Sequence, residues 1–522
     1  MIQRPFSSPG YHTELKGGVV HETRGSFNYA LNLLDSGEPE HFERAVDILR
    51  RVIALQDQSP DSPTYGIWSW FLEEPLETME QPDFNWADFN GVTLLQISRD
   101  HLERLPEDLA KEVNDAILRA CAAIKKRDVG PGYTNIALMG AYVTLVAGEH
   151  LNVPEFRDYG LARLSRFHAF TQENGAFEEY NSPTYTRVAL EQLSRLKAHV
   201  QDGSAQAMIE PLLRQAWEEM ARHFHAPTAQ WAGPHSRAYS SLLRTDELAF
   251  IERACEGKIA LPGAESSTHY QRHVPTCPPD LIPLFTELPS PRTEEDLFIK
   301  RSNTIGTTYL HPQYALGTIN HGDLWNQRRH FLWHFGTAKE PGYLHLRFLK
   351  DNYDFASAKI ESVQRDGNVL ALVTFVTDGG DTHIALDMVK DARFRASDLR
   401  LRFELGGPAS ANAHISSPRK NEPAAIQVAG LDATINILQA SLDGQQAHVE
   451  TGGDHDKKWL DVILYSGDER EFNLETIKDA ITAFAFSIGS TLPVEISEKE
   501  GQLILTADDL SVQSPIQPQK RR

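Results

Sequence analysis

The chain has 522 residues, 41% hydrophobic and 24% charged, with a formal net charge of −21. That length calls for more than one hydrophobic core, and the negative balance argues against a nucleic-acid or anionic-membrane partner. Its 3 cysteines lie far apart with no Cys-x-x-Cys pair, which leaves no cysteine-rich zinc site and fits a reducing compartment.

The first residues, Met1-Ile-Gln-Arg-Pro-Phe6, contain no apolar stretch of signal-peptide length, so the expected location is the cytoplasm. No run of about 18 apolar residues follows anywhere, so no membrane span is expected. From about residue 24 to 255 the apolar spacing is helical. Phe42, Ala45, Val46, Leu49 and Val52 form one stripe. After Pro106, Leu109, Val113, Ile117, Cys121 and Ile124 form another. Further helices are expected over 27–35, 90–104, 134–148, 154–171, 183–200, 205–224 and 238–253. Roughly ten helices in tandem pairs predict a curved or closed array of helical hairpins rather than a four-helix bundle. Residues 256–294 are proline-rich and read as a linker.

From about 297 the period changes. Val369-Leu-Ala-Leu-Val-Thr-Phe-Val376 is a β-rich run between Asp366-Gly-Asn368 and Asp378-Gly-Gly380. Ala433–Leu438 and Trp459–Tyr465 read likewise, and 474–483 reads as a short helix among them. The expected organisation is α+β multidomain: a helical domain over 1–255, the linker over 256–294, and an antiparallel β-sandwich over 295–522.

Five polar clusters stand out. Gly132-Tyr133-Thr134-Asn135 opens an apolar helix, where Asn135 either caps the helix or donates to an anion. Asn174-Gly-Ala-Phe-Glu-Glu-Tyr-Asn-Ser-Pro-Thr-Tyr185 sets Tyr180 and Tyr185 beside Glu178, Glu179 and Asn181, with Ser182-Pro183 starting the next helix. In Trp231-Ala-Gly-Pro-His-Ser-Arg-Ala-Tyr239, alternation along an extended segment places His235, Arg237 and Tyr239 on one side. An imidazole, a guanidinium and a phenol together suit acid–base work on an anionic substrate. Trp68, Trp70, Asp83, Trp86, Asp88 and Asn90 form a possible sugar-stacking platform. In the β half, His321, Asp323, Arg328, His330 and His334 are the densest polar group. A divalent metal there stays open, but the strand-like texture weakens helical ligand spacing, and no metal or cofactor is expected. No phosphate-binding glycine loop, Gly-x-Ser-x-Gly or His-Glu-x-x-His occurs.

Three of these stretches, in order over about residues 130–240, resemble the toroid polysaccharide lyases and heparinase II/III-like proteins of the hyaluronate/chondroitin lyase type. Tyr133-Thr-Asn135 is similar to the family's early Asn, Asn174-Gly-Ala-Phe177 through Tyr185 to its Phe-to-Tyr stretch, and Ser236-Arg237 to its Ser-Arg turn. The resemblance implies an (α/α) toroid followed by an antiparallel β-sandwich, and a lyase that cleaves a uronate-containing oligosaccharide by β-elimination. It implies catalytic roles at Asn135, Tyr180, Tyr185, His235, Arg237 and Tyr239. The expected substrate contacts are Trp68, Trp86, Asn90, Glu179, Asn181, Trp231, His321 and Arg328. Where the family has its His, this chain has Glu179-Tyr180-Asn181, so the base is either His235 or a tyrosine alone. In such a reaction Asn135, with Arg237 or Asn181, stabilises the enediolate that forms when the C5 proton leaves. A phenolate base needs a cation such as Arg237 beside it. Two other readings stay open. One is a glycoside hydrolase using Glu178 or Glu179 with Asp83 or Asp88. The other is a glycan-binding protein without turnover.

Overall fold

The computed structural model describes residues 1–7, 12–266, 272–383, 386, 389–416 and 422–520. By internal contacts the chain divides into two units, Met1–Glu173 with Val188–Leu213 and Asn174–Arg187 with Arg214–Arg522. Among the described residues there are nine α-helices, all ahead of the large antiparallel sheets. They are α1 Thr23–Asp35, α2 Pro39–Ile53, α3 Asn85–His101, α4 Glu107–Arg127, α5 Thr134–His150, α6 Pro154–Asn174, α7 Tyr185–His199, α8 Gly203–His223 and α9 Thr245–Ala254. A helical half followed by an antiparallel β half is the fold class its two sequence periods predict. None of the described helices is long and apolar enough to cross a membrane.

In the first unit α1 packs on α2 and α3, and α3 on α4 and α5. The sequence explains α4 well. Glu107 and Asp108 open it, Lys125, Lys126 and Arg127 close it, and both ends therefore complement the helix dipole. Asp128 then turns left-handed (φ 42°) and donates its N–H to Ile124 O at 3.0 Å, which stops the helix. Its buried stripe is the expected Leu109, Val113, Ile117, Cys121 and Ile124. Burying each such side chain contributes about 1.5–3 kcal/mol. Helix α5 is buried on nearly every side, so it shows no amphipathic stripe. Two glycines let α5 and α6 touch. A Cβ on Gly148 would lie 2.1 Å from Arg157 N, and one on Gly160 2.3 Å from Leu145 N.

The second unit holds a sandwich. One sheet runs in the order Arg292–Ile299, Thr304–His311, Tyr314–Ile319, Phe331–Gly336, Pro341–Lys350, Arg393–Gly406, Lys457–Asn473 and His448–Gly453. The other runs His321–Asp323, Ala358–Arg365, Asn368–Phe375, Ala480–Ile488, Leu431–Leu442, Ala424–Val428 and His414–Ile415. Trp333, Leu344, Leu346 and Phe403 of the first sheet share one core with Ile360, Val369, Val373, Phe484 and Phe486 of the second. A third sheet, Glu495–Lys499, Gln502–Ala507 and Leu510–Pro515, covers the back of the second sheet.

Two local expectations are corrected. Residues 474–479 form a turn that leads into the strand Ala480–Ile488, not a short helix. The last helix starts at Thr245, not near 238, because the preceding residues run as extended chain and bends, with His235 and Ala238 held by backbone bonds to the loop residues Arg329 and Gln327.

Candidate functional site

The second and third clusters meet in the second unit, where they build two adjacent polar groups. The first group is closed. Asn181, in a left-handed turn (φ 40°), donates its amide to Ala232 O at 3.0 Å and Pro234 O at 2.8 Å. Its Oδ1 accepts from Trp231 Nε1 at 2.5 Å. His235 places Nδ1 2.6 Å from Asn181 O and Nε2 3.1 Å from Trp231 O. Ser236 Oγ donates to Tyr180 O at 2.6 Å, and Ser182 Oγ to Arg237 O at 2.5 Å. Asn181, Trp231 and His235 are all buried. Burial depresses the His235 imidazole to about 3, with the neighbouring His334 adding to the effect. The ring is therefore neutral, and both of its nitrogens face backbone carbonyls rather than a cleft. The side chains of Asn181 and Trp231 are likewise spent on protein groups.

The second group is open at one end. Ser182 Oγ accepts the N–H of Tyr185 at 3.0 Å and fixes the start of α7. Tyr185 Oη lies 2.7 Å from Tyr239 Oη. The Arg237 guanidinium sits over the Tyr185 ring, 4.2 Å from its centroid. Arg237 also donates to Glu179 Oε1 at 2.7 Å and to Gln327 Oε1 at 2.9 Å. Tyr185 is 7% exposed and Tyr239 59%, so the hydroxyl pair runs from the interior to solvent. Burial pushes the Tyr185 phenol well above the ordinary tyrosine range, although Arg237 pulls the other way. At rest Tyr185 is a neutral hydroxyl, not a phenolate.

Other marked residues of this unit stand apart from that pair. Tyr180 stacks on Phe298 at 4.3 Å and turns its hydroxyl to His330 Nε2 at 3.3 Å. Burial raises its pKa strongly. Arg328 is paired with Asp323 at 3.1 Å and Asp381 at 3.0 Å, and His321 Nε2 meets Ser302 O at 2.9 Å. His334 Nε2 meets Ser241 O at 2.8 Å. Among the described residues no group of three or more His, Cys, Asp or Glu is arranged to hold a metal ion.

The first unit carries its own polar group. Trp68 is core, fully buried with Nε1 donating to Val52 O at 3.0 Å, so it belongs to no sugar platform. Trp70 and Trp86 do stack, with centroids 5.1 Å apart, and Trp70 Nε1 donates to Asp83 Oδ2 at 3.2 Å. Asp88 and Asn90 are buried on α3, and Asn135 on the first turn of α5. Burial lifts the Asp88 carboxyl to about 7 against the pull of Arg163. The Asn90 side-chain amide finds no hydrogen-bond partner.

Glu219 is a residue that sequence reasoning missed. It is buried on α8, accepts from Thr186 Oγ1 at 3.0 Å, and is lifted to about 7 by burial. The available signal was its place on the apolar stripe of α8, one turn before His223. Gln327 was also missed, although it lies within the polar stretch 321–334, next to Arg328.

Residues 7–254 match a family model described as a domain of unknown function (DUF8769). No curated protein matches the chain. A solved structure of a heparinase III with methylated lysines is similar over 94% of this chain and 83% of its own, at 10% identity and a TM-score of 0.41.

Proposed function

We propose that the chain is a carbon–oxygen lyase that breaks a uronate-containing oligosaccharide by β-elimination. The observation that carries this reading is the Tyr185–Tyr239 hydroxyl pair, 2.7 Å apart, beside Arg237 and open to solvent at Tyr239. The likeness of the three sequence stretches to the toroid lyases supports it. Elimination needs a base on the C5 hydrogen, an acid on the leaving O4, and positive charge near the carboxylate. Tyr185, kept protonated by burial, is the acid. Tyr239, after giving its own proton to solvent, is the base. The C5–H electrons become the C4=C5 double bond, the C4–O4 bond breaks, and O4 takes the Tyr185 proton. The proton that Tyr239 gained then crosses the hydroxyl pair to Tyr185 and restores the starting state. Arg237 steadies both the substrate carboxylate and the transient Tyr185 phenolate. His235 takes no part in proton transfer, because both ring nitrogens are engaged by carbonyls.

The test is a panel of uronate-containing oligosaccharides followed in the ultraviolet band of an unsaturated uronate. Growth of that band with no new saturated reducing end supports elimination. A saturated reducing end without the band refutes it. That second outcome would favour a glycoside hydrolase. The pair first named for hydrolysis is less suited, since Glu178 is held by Arg301 and Glu179 by Arg237.

A further inference from the structure

The strand Asn368–Phe375 buries both of its faces. Val369, Ala371, Val373 and Phe375 enter the sandwich core, while Leu370 and Leu372 meet Leu503, Leu505 and Leu510 beneath the third sheet. Followed along each strand, this second interface changes character at one end. On Asn368–Phe375 the stripe Leu370, Leu372 continues with Thr374. On Leu510–Pro515 the stripe Leu510, Val512 continues with Ser514. On Ala358–Arg365, Val363 gives way to Glu361 and then Lys359, which is in register with Thr374. The layers border a partly open cavity of about 170 Å³ at that polar end, lined by these four residues and by glutamines that include Gln502 and Gln513.

Thr374 and Ser514 are 6% and 1% exposed, and neither Oγ has a hydrogen-bond partner. A buried hydroxyl left unmatched is destabilising, so two of them facing one cavity is an arrangement that a ligand can repay. Each hydroxyl both donates and accepts, as do the amides of the glutamines. Lys359 and Glu361 cancel each other, with Lys359 Nζ 2.5 Å from Glu361 Oε1, and Lys520 adds one positive charge to the lining. The lining therefore offers both donors and acceptors with a single positive charge in excess. Its volume lies below the roughly 300–1,000 Å³ of ordinary ligand pockets, which suits one small ring rather than an extended chain. We infer that this cavity is a binding site for a polyhydroxylated ligand about the size of one sugar ring. It shares no residue with the tyrosine pair and does not depend on the lyase reading.

The experiment is saturation-transfer NMR on the full chain with methyl glycosides of neutral hexoses and with inositol. The expected result is transfer to at least one of these rings, weakened at least tenfold in affinity by Thr374→Val combined with Ser514→Ala, and unchanged by Tyr185→Phe. Gln513→Ala, at the exposed rim, gives a second reading should the double variant fail its thermal-melt control. The inference is overturned if no ring receives saturation at concentrations on the order of ten millimolar. It is equally overturned if transfer survives both the double variant and Gln513→Ala, or disappears in Tyr185→Phe.

Discussion

The two polar groups of the second unit are built from the same two stretches of chain, yet they end in opposite conditions. Asn181 and Trp231 are matched by one another and by the backbone, His235 turns both ring nitrogens to backbone carbonyls and as a neutral ring donates to one of them, and all three are buried. Tyr185, Arg237 and Tyr239 lie only a few residues from them along the chain, but their chain of contacts ends at the exposed Tyr239. The difference teaches which group can do chemistry. A polar side chain whose valences are all met by protein holds the chain in place, while one met on one side only can still meet a substrate. The closed group fixes the turn that presents the open one.

The largest effect expected from this contrast concerns acid. His235 is depressed from 6.5 to about 3, and His225 likewise to about 3. Between those values the unfolded chain binds a proton that the folded chain refuses. Stability from His235 is therefore intact above pH 6.5 and is lost as pH falls toward 3. At about 1.4 kcal/mol per unit the total is about 5 kcal/mol for His235. Urea midpoints should drop steeply between pH 7 and pH 4.5, and His235→Gln should flatten that slope. A midpoint that ignores pH would mean the ring is not sealed. Next in size, Tyr185→Phe should lower the elimination rate about 1,000-fold, since a single proton donor is worth about 10²–10⁴. Its melting temperature should stay close to that of the parent, which separates the open group from the closed one.

Much of this was legible before the structure. The change from a period of 3.6 to short β runs marks the two halves, and the α4 stripe is the one its spacing predicts. The third sheet was legible in principle. Val369–Val376 is apolar at nearly every position, which signals a strand covered on both sides. The proximity of Tyr185 to Arg237 and Tyr239 rests on pairing across more than fifty residues, and only the resemblance hinted at it. Alternation put His235, Arg237 and Tyr239 on one side, but could not say that the first would be sealed by carbonyls while the last reached solvent. Glu179 as the partner of Arg237, and Glu219 beneath the turn, depend on long-range packing that no local pattern encodes.

A direct way to break the closed group is Asn181→Ala. It strands Ala232 O, Pro234 O and the Trp231 indole N–H in the interior. Leaving such groups unmatched costs about 1–3 kcal/mol each before relaxation, and the left-handed turn adds strain for Ala, so a loss of about 3 kcal/mol is expected. Activity should fall along with stability and recover at low temperature, where enough chain remains folded. A stable but inactive variant would instead make Asn181 a substrate contact.

The smallest effect lies where the two groups meet. Glu219 accepts from Thr186, the residue after Tyr185, and from the backbone of Asn181. Burial raises its carboxyl from 4.5 to about 7, with His223 opposing. The folded chain therefore holds a proton that the unfolded chain has already released above pH 4.5. Stability from this group is fully present below 4.5 and declines as pH rises through 7, the reverse of the histidine trend. Glu219→Gln keeps the shape and removes the ionisation, so it should be more stable than the parent at pH 8 by about 2 kcal/mol and nearly equal at pH 5. Chemical denaturation at the two pH values checks this. A variant that gains nothing at pH 8 would show that the carboxylate is already compensated by its neighbours.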